Sequence, residues 1–285
     1  MIEFENVGFT YPETAEPALR GIALSVPQGQ VCGVVGAGGA GKSTFAAAIA
    51  GMVPHVTGGT LTGAVRVAGR SMATTALAEA VTDVGLVVQD PFNQMSGAKF
   101  TVREELAFGL ENLGVPRAEM VERIDAVLAE LGIAHLADRS PFSLSGGQQQ
   151  LVAIGAVLVM RPKVVVLDEP TSQLDPASTA LVFGALAALR AGGITVVLVE
   201  HKVAGLVELA DRIVVLADGA IALDGTPHEV FTDERLPGFG VSPTRYTRAA
   251  RQAAERGRWP ADRPLPVLFD EAAAGFAAPE PIHPR

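Results

Sequence analysis

The residues with the clearest chemical meaning lie in one short glycine-rich segment, Gly36 to Thr44, which reads Gly-Ala-Gly-Gly-Ala-Gly-Lys-Ser-Thr. The largely apolar run Val31 to Val35 precedes it, and an alanine-rich segment that favours a helix follows it. Glycines let successive backbone N–H groups point inward, and a helix N-terminus adds partial positive charge. The spacing therefore predicts a phosphate-binding loop (the phosphate loop, residues 36–44) between a buried strand and a helix.

Within the phosphate loop, Lys42 can reach phosphate oxygens as a point charge, and the hydroxyl of Ser43 can bind Mg²⁺. The alternative is a glycine-rich turn with a chance lysine, and the context of strand, loop and helix argues against it. The residues expected to contact a bound phosphate chain are Gly36, Gly38, Gly39, Ala40, Gly41, Lys42, Ser43 and Thr44.

Further polar side chains follow apolar runs that have the character of buried strands. The run Val164 to Leu167 ends at Asp168 and Glu169, and the run Ile194 to Val199 is followed closely by His201. A carboxylate in such a place can hold Mg²⁺ through water, and one within reach of a water can act as a general base. Ligands of parallel sheets bind at the carboxyl ends of the strands. Taken one at a time, a turn with adjacent acids or a structural histidine is an equally good explanation.

Length and composition limit the possible classes of protein. The chain has 285 residues, of which 48% are hydrophobic and 5% aromatic, which suits parallel strands covered by helices. Its net charge of −9 argues against broad nucleic-acid binding, which needs a basic surface. The apolar stretches are shorter than the ~20 residues that a membrane-spanning helix needs. We therefore expect a cytosolic chain whose membrane role, if any, comes through a partner.

The elements that must position these residues can be read from periodicity. Residues 101–160 carry apolar positions at helical spacing with charges between them, which predicts a helical insert. Strands are predicted at 213–216 and 220–223, in a hairpin that turns at Asp218 and Gly219. Gly63 is expected to break the pattern before a strand at 64–67, and the lone Cys32 is expected to be a buried structural thiol.

Over residues 1–225, these segments and a further one resemble, in order and spacing, the ATPase subunits of ABC transporters. The further one is Leu144-Ser145-Gly146-Gly147-Gln148 (the signature segment), about twenty residues before Asp168. The resemblance implies ATP and Mg²⁺ as ligands. It makes Asp168 a metal ligand, Glu169 the general base and His201 the γ-phosphate contact. It also gives Gln89, after the predicted strand 83–88, a contact with both the metal and the attacking water.

The resemblance also implies a second subunit, because the family's signature segment completes the nucleotide site of a neighbouring chain. Two chains then sandwich two ATP molecules head to tail, with a transmembrane partner alongside. Ser145 is expected to cap the helix that follows it. Tyr11 resembles the aromatic that stacks on adenine, with a core tyrosine as the alternative, and Asp175 resembles an acid that communicates between subunits. The signature residues assigned to nucleotide contact are Ser145, Gly146, Gly147 and Gln148.

The fold implied by the resemblance is the α/β P-loop ATPase fold of ABC proteins. It has a mostly parallel core sheet, an antiparallel β subdomain and a helical insert, here at about 92–160. Residues 226–285, which are rich in Pro, Arg and Ala, are expected to form an accessory tail with short helices and a loose end. The phosphate loop departs from the commonest family form at Ala37, Gly38 and Ala40, and Leu151 stands where a basic residue is frequent.

Two segments, Gln89 to Gln94 and Phe108 to Asn112, indicate the branch of the ABC transporter family. They resemble the corresponding segments of the energy-coupling-factor transporters. These import vitamins and transition-metal ions through a transmembrane coupling protein and a small substrate-binding membrane protein, so the chain would lie at the cytoplasmic face of the membrane. A non-identical ATPase subunit is the expected partner, with a homodimer as the alternative. The other readings are a subunit of another ABC transporter type, or a soluble ABC ATPase that acts on nucleic acid.

Overall fold

The computed structural model of the chain describes residues 1–277. Its strands are β1 (Ile2–Thr10), β2 (Leu19–Val26), β3 (Val31–Gly36), β4 (Thr60–Val67), β5 (Arg70–Ser71), β6 (Val84–Val87), β7 (Val164–Asp168), β8 (Thr195–Val199), β9 (Arg212–Ala217) and β10 (Ala220–Gly225). Its helices are α1 (Lys42–Ile49), α2 (Met52–His55), α3 (Leu77–Asp83), α4 (Val102–Asn112), α5 (Arg117–Glu130), α6 (Gly146–Leu158), α7 (Pro176–Ala191), α8 (Val203–Leu209), α9 (Pro227–Phe231), α10 (Arg245–Glu255) and α11 (Phe269–Phe276).

The strands form a four-stranded antiparallel sheet, in the order β2-β1-β4-β5, and a six-stranded sheet, in the order β10-β9-β3-β8-β7-β6. In the larger sheet β9, β3, β8, β7 and β6 are parallel, and β10 pairs antiparallel with β9. The β9–β10 turn has φ of +48° at Asp218 and +78° at Gly219, as a two-residue hairpin of this kind requires. The parallel order places the ends of β3, β8 and β7 side by side.

The core lies on both faces of the six-stranded sheet, because neighbouring residues of a strand point to opposite faces. On β8, Val196 and Leu198 belong to the core cluster that also contains residues of α4 to α8, whereas Val197 and Val199 belong to the cluster that contains residues of α1 and the antiparallel sheet. Phe4 of β1 stacks on Phe45 of α1 with 4.5 Å between ring centroids, which joins the antiparallel sheet to α1. Cys32 is fully buried, and burial raises the pKa of its thiol to about 12.

The helical insert consists mainly of α4, α5 and α6, and their N-termini explain where two of them begin. Thr101 and Glu104 form a capping box at the start of α4, and Ser145 with Gln148 forms another at α6. Among residues 1–277, no helix has both the length and the apolar content needed to cross a bilayer.

One expectation about the backbone needs correction. Gly63 does not break a strand, because it lies inside β4 with φ of +73°, where the register against β1 shifts. Between the pairs Glu5–Ala64 and Gly8–Thr62, two residues of β1 lie opposite Gly63 alone, so β1 carries a β-bulge there. An added Cβ at Gly63 would stand 2.4 Å from the carbonyl oxygens of Glu5 and Asn6, which explains why this position is a glycine.

The segment that follows residue 225 packs, in its first part, against the rest of the chain. Phe231 and Leu236 are fully buried, and both belong to the core cluster that contains the strands of the large sheet. Gly240, with φ of +71°, lies against the phosphate loop, since an added Cβ would stand 2.8 Å from Cβ of Ala37. The first part of the predicted tail is therefore built into the domain, while residues 278–285 lie outside the described part of the chain.

Candidate nucleotide site

The phosphate loop folds tightly because two of its glycines stand where no side chain fits. An added Cβ would lie 2.3 Å from the carbonyl oxygen of Leu216 at Gly36, and 2.5 Å from that of Ala18 at Gly41. Gly41 also has φ of +95° and is the residue before α1. The chain thus turns from β3 into α1 over a short distance, and the N-terminus of α1 faces the loop.

Lys42 spans the phosphate loop from the first turn of α1. Its Nζ donates hydrogen bonds to the carbonyl oxygens of Gly36, at 3.0 Å, and Ala37, at 2.9 Å. The residue is only 5% exposed, and this burial lowers its pKa, while the charges of Glu169 and Asp168 act in the opposite direction. The lysine is therefore held by the loop with its cation close to two carboxylates.

A cavity of about 330 Å³ opens beside the loop. An added Cβ at Gly38 or Gly39 would meet no atom within 4 Å, so this part of the loop leaves room for a ligand. The cavity joins residues that are far apart in the sequence, and its lining consists of Tyr11, Ala18, Gly38, Gly39, Gly41, Lys42, Ser43, Thr44, Glu169 and His201.

Two residues of the predicted contact set lie beneath the loop rather than at the cavity. Gly36 ends β3 and is buried, and Ala40 is only 4% exposed. The N–H of Ala40 already donates to the carbonyl oxygen of Ala37, at 3.2 Å. These two positions shape the loop by their small size, and the other six residues of the predicted contact set line the cavity.

Asp168 ends β7 next to the phosphate loop, and its surroundings fit a divalent cation. Its Oδ1 is buried and has no hydrogen-bond partner among the described residues. Burial raises the pKa of Asp168, and a contact with the Ser43 hydroxyl acts in the opposite direction. A carboxylate oxygen without a partner and a nearby hydroxyl are ligands that Mg²⁺ prefers, so Asp168 and Ser43 would hold the ion.

Glu169 and His201 lie against each other at the ends of adjacent strands. Nε2 of His201 is 2.8 Å from Oε1 of Glu169. Glu169 has φ of +51°, and its N–H donates to the carbonyl oxygen of Val199 at 2.9 Å. This left-handed backbone is uncommon for a residue other than glycine, and such conformations cluster at functional sites.

Gln89 follows β6 at the same edge of the sheet, but it is exposed and does not line the cavity. β6 is the outermost strand on that side, with β7 between it and β8. Of the residues predicted to act on the metal or the water, the structure therefore brings Ser43, Asp168, Glu169 and His201 together and leaves Gln89 at the periphery.

The signature segment forms the N-terminus of α6, outside the cavity lining. Oγ of Ser145 accepts a hydrogen bond from the N–H of Gln148, and the predicted cap is confirmed. Ser145 and Gly146 are exposed, whereas Gly147 is buried against α7, where an added Cβ would stand 2.5 Å from Cβ of Ser178. The segment thus presents its first residues to solvent and uses Gly147 for close helix packing.

Asp175 and Tyr11 each have a partner within the chain. Asp175 caps α7, where its carboxylate accepts from the Ser178 hydroxyl at 2.7 Å and from two backbone N–H groups. These bonds, that to Ser178 first, lower the pKa of Asp175. The hydroxyl of Tyr11 is 3.0 Å from Oγ1 of Thr44, and its ring lines the cavity.

The sequence reasoning missed three residues around the site. Ala18 lines the cavity through its position alone and carries no chemical signal. Glu200 is only 1% exposed, and Lys202 donates two hydrogen bonds to the segment before α7 and a third to the first turn of α7. Glu200 and Lys202 flank His201 in the sequence. A charged residue on each side of a candidate histidine was therefore the signal that could have identified them.

Comparisons with known proteins agree with this geometry. The ABC transporter family model matches residues 19–172. A putative ABC transporter ATP-binding protein of Streptomyces avermitilis is 45% identical over 89% of this chain and 47% of its own length. Another, of Pyrococcus horikoshii, is 43% identical over 94% of this chain and 96% of its own. The energy-coupling factor transporter ATP-binding protein EcfA1 of Lacticaseibacillus paracasei is 40% identical over 81% of each chain.

Two solved structures have the same architecture. CbiO1 of Clostridium perfringens, described as part of the ABC transporter complex CbiONQ, superposes with a TM-score of 0.74 at 29% identity, over 90% of this chain and 94% of its own. An ATP-binding cassette solved as a dimer with ADP and phosphate gives a TM-score of 0.68 at 26% identity, over 80% of this chain and 99% of its own.

The chain spans about half the length of the Streptomyces relative but nearly the whole of the Pyrococcus one. The predicted α/β P-loop ATPase fold is confirmed by these neighbours and by the two sheets described above. The chain therefore belongs to the ABC transporter family and is similar to its ATP-binding proteins.

Proposed function

We propose that this chain is the ATP-binding subunit of an energy-coupling-factor importer, in which ATP hydrolysis drives uptake of a vitamin or a transition-metal ion. The observation that carries the proposal is the convergence of Lys42, Glu169 and His201 on one cavity beside the phosphate loop. The signature segment stands apart from that cavity with Ser145 and Gly146 exposed, as a site completed by a second chain requires.

In the proposed reaction, backbone N–H groups at Gly38, Gly39 and Gly41 bind the phosphate chain, and Lys42 adds its charge at the β- and γ-phosphates. Mg²⁺ held by Ser43 and Asp168 would neutralise charge that develops on the phosphate oxygens.

Glu169 orients the attacking water and accepts its proton, which requires the carboxylate within hydrogen-bond reach of that water. His201 holds Glu169 on one side and faces the cavity, where it can donate a hydrogen bond to the γ-phosphate. The ring of Tyr11, at the cavity wall, supplies a surface for adenine. Gln89 joins the site only when its loop moves inward, because the structure leaves it exposed.

The proposed partner at the nucleotide is a second ATPase subunit that docks head to tail. The N-terminus of α6 then closes over the far end of ATP bound in the neighbouring chain, with Ser145, Gly146 and Gln148 facing the phosphates. The dimeric cassette with ADP and phosphate, which shares this fold, supports such an arrangement. A non-identical subunit is the first choice, and a homodimer is the alternative.

The proposed contact with the transmembrane coupling protein is an apolar groove of about 500 Å³ between α3, β6 and the helical insert. Large apolar side chains stand exposed along it, with 57% of Val56, 38% of Val81 and 37% of Phe108 open to solvent. An amphipathic helix laid in such a groove would cover them. The chain would then lie at the cytoplasmic face of the membrane without entering it.

The choice of branch rests on the segment after β6 and on two relatives. Asp90 accepts a hydrogen bond from the N–H of Phe92 at 3.0 Å, and Gln94 bonds back to Leu86 and Val88, so the segment forms a rigid turn at the groove. EcfA1 and CbiO1, which the chain resembles, carry the names of energy-coupling-factor and CbiONQ components. The small substrate-binding membrane protein, and with it the cargo, would be supplied by the same assembly.

The test is co-purification from membranes, comparing the wild type with Phe108→Asp in the groove. We expect the wild type to bring down membrane proteins and the variant to lose them while ATP binding is unchanged. Phe269→Asp is the matched control, because Phe269 is 60% exposed and lies on α11, outside the groove lining. Co-purification of nucleic acid in place of membrane proteins would favour the soluble alternative.

A further inference from the structure

Glu200 is a buried carboxylate beside the site that the proposed reaction does not use. Its Oε2 accepts hydrogen bonds from the backbone N–H groups of His201, at 2.6 Å, and Lys202, at 3.0 Å. Its Oε1 accepts one from the hydroxyl of Thr171, which is itself fully buried. One side chain therefore joins the segment after β8, which carries His201, to the segment after β7, which carries Glu169.

Lys202 makes a second connection between the same two segments. Its Nζ donates to the carbonyl oxygens of Thr171, at 2.6 Å, and Leu174, at 3.0 Å, and to Oγ1 of Thr179, at 2.9 Å. These acceptors lie just before α7 and in its first turn, on either side of Asp175. A lysine with three acceptors in fixed positions holds that segment in one place.

The geometry points to Thr171, Glu200 and Lys202 as positioning residues for the reaction, a set that we call the loop clamp. We propose that the loop clamp transmits displacement of residues 171–175, caused by the docking of a second subunit, to the backbone of His201. This inference rests on the proposed head-to-tail dimer, because Asp175 is exposed and available to a neighbouring chain.

The hydrogen bonds around His201 define the route by which a displacement of Thr171 would reach the site. The backbone of His201 is tied to Glu200, and the imidazole of His201 is tied to Glu169. A shift of Thr171 therefore moves the histidine that orients the general base. None of the three clamp residues lines the cavity, so ATP affinity should not depend on them.

The experiment compares two substitutions of Thr171 in the full-length chain, together with whichever subunits co-purify with it. Thr171→Val removes the hydroxyl and keeps the shape, and Thr171→Ser keeps the hydroxyl. Lys202→Met tests the second connection, and Lys163→Met is its control, since Lys163 pairs with Asp83 and is 62% exposed. The readouts are the dissociation constant of ATP, kcat, and hydrogen exchange of the His201 and Lys202 amides.

We expect Thr171→Val and Lys202→Met to lower kcat about tenfold, because each loses part of the stabilisation of the transition state. The dissociation constant of ATP should be nearly unchanged. Thr171→Ser and Lys163→Met should resemble the wild type. Thr171→Val should also speed exchange of the His201 and Lys202 amides, which are thirty residues away in sequence, and Lys202→Met should do the same for the Leu174 amide.

Unchanged exchange at His201 in Thr171→Val would overturn the loop clamp, and so would a fall in kcat that Thr171→Ser reproduces. A failure of the proposed function would give a different result from a failure of the loop clamp, because the wild type itself would then not hydrolyse ATP. Hydrogen exchange would still decide in that case whether Thr171 controls the segment that carries His201.

Discussion

His201 and Glu169 lie 2.8 Å apart, from Nε2 to Oε1, although they come from different strands. β7 and β8 are neighbours in the sheet, with Asp168 paired to Val199, so their next residues emerge at the same edge. The left-handed backbone of Glu169, with φ of +51°, turns its side chain back toward the histidine. Backbone conformations of this kind cost about 1–3 kcal/mol, so the surrounding bonds must hold it in place.

The first prediction concerns the carboxylate of this pair. Glu169→Gln should lower the rate of ATP hydrolysis about 10²- to 10⁴-fold, as expected on loss of a general base. ATP binding should be retained, and an ATP-bound dimer should accumulate, which sedimentation can detect. Glu208→Gln on the exposed side of α8 is the control. Undiminished hydrolysis in the Glu169 variant would show that another group activates the water.

The second prediction concerns Lys42. Hydrogen bonds to charged groups contribute about 1.5–3 kcal/mol, so Lys42→Ala should raise the dissociation constant of ATP roughly 10- to 100-fold. Isothermal titration calorimetry measures this directly. Lys163→Ala, which removes a lysine outside the cavity, should leave affinity unchanged. Equal affinities of the wild type and the Lys42 variant would contradict a phosphate contact.

The third prediction concerns Asp168 and pH. Because burial raises its pKa, the ionised carboxylate destabilises the folded state at pH values above its folded pKa. That penalty disappears as the pH falls below the unfolded value of about 3.9. Asp168→Asn should therefore raise the free energy of unfolding at pH 8 without metal, and the gain should shrink toward pH 4.5.

Urea unfolding at the two pH values checks this sign, and a variant less stable than the wild type at pH 8 would refute it. Magnesium and ATP should reverse the order, because a ligand at 100 times its dissociation constant stabilises a protein by about 2.7 kcal/mol. The wild type should gain this stability, and Asp168→Asn should gain less.

The fourth prediction separates the two roles of Ser145. Ser145→Ala removes the cap of α6 and should cost about 1 kcal/mol of stability. Ser145→Asp keeps a capping side chain but places a negative charge where a neighbouring chain would present its triphosphate. The aspartate variant should therefore fold like the wild type, yet fail to dimerise with ATP. Normal ATP-driven dimerisation of this variant would exclude the head-to-tail arrangement.

The fifth prediction concerns Gly240, which contacts the phosphate loop. Gly240→Ala should destabilise the fold by more than the 1–2 kcal/mol that a left-handed backbone costs a residue with a side chain, and should weaken ATP binding. Gly257→Ala is the matched control, since Gly257 has φ of +66° but an added Cβ would meet no atom within 4 Å. Equal effects of the two substitutions would mean that the contact with Ala37 is irrelevant.

Local patterns predicted much of the fold. The strand, loop and helix around the phosphate loop and the hairpin at Asp218 appear where the sequence indicates them. These features depend on the period of apolar residues, on caps and on turn residues within a few positions. The positions of Asp168 and His201 could also be predicted, because strands of a parallel sheet end at one edge.

The remaining features depend on contacts between distant parts of the chain. Nothing in the sequence near Gly63 reveals that β1 pairs beside it with a bulge, so a glycine opposite a bulge cannot be distinguished from a strand break. The composition of residues 226–285 suggests an accessory tail with short helices and a loose end, and it does not reveal that Phe231 is buried in the main core. The bond between Lys202 and Thr171 joins segments about thirty residues apart, and no local pattern encodes it.

The contact between Ala37 and Gly240 has a consequence for comparing members of the family. With Ala37 in place there is no room for a side chain at position 240, since an added Cβ would stand 2.8 Å from Cβ of Ala37. Residues other than glycine at position 240 should therefore occur only in relatives whose chain takes another path after β10. An alignment should show positions 37 and 240 changing together, because the C-terminal segment packs on the phosphate loop only when both residues are small.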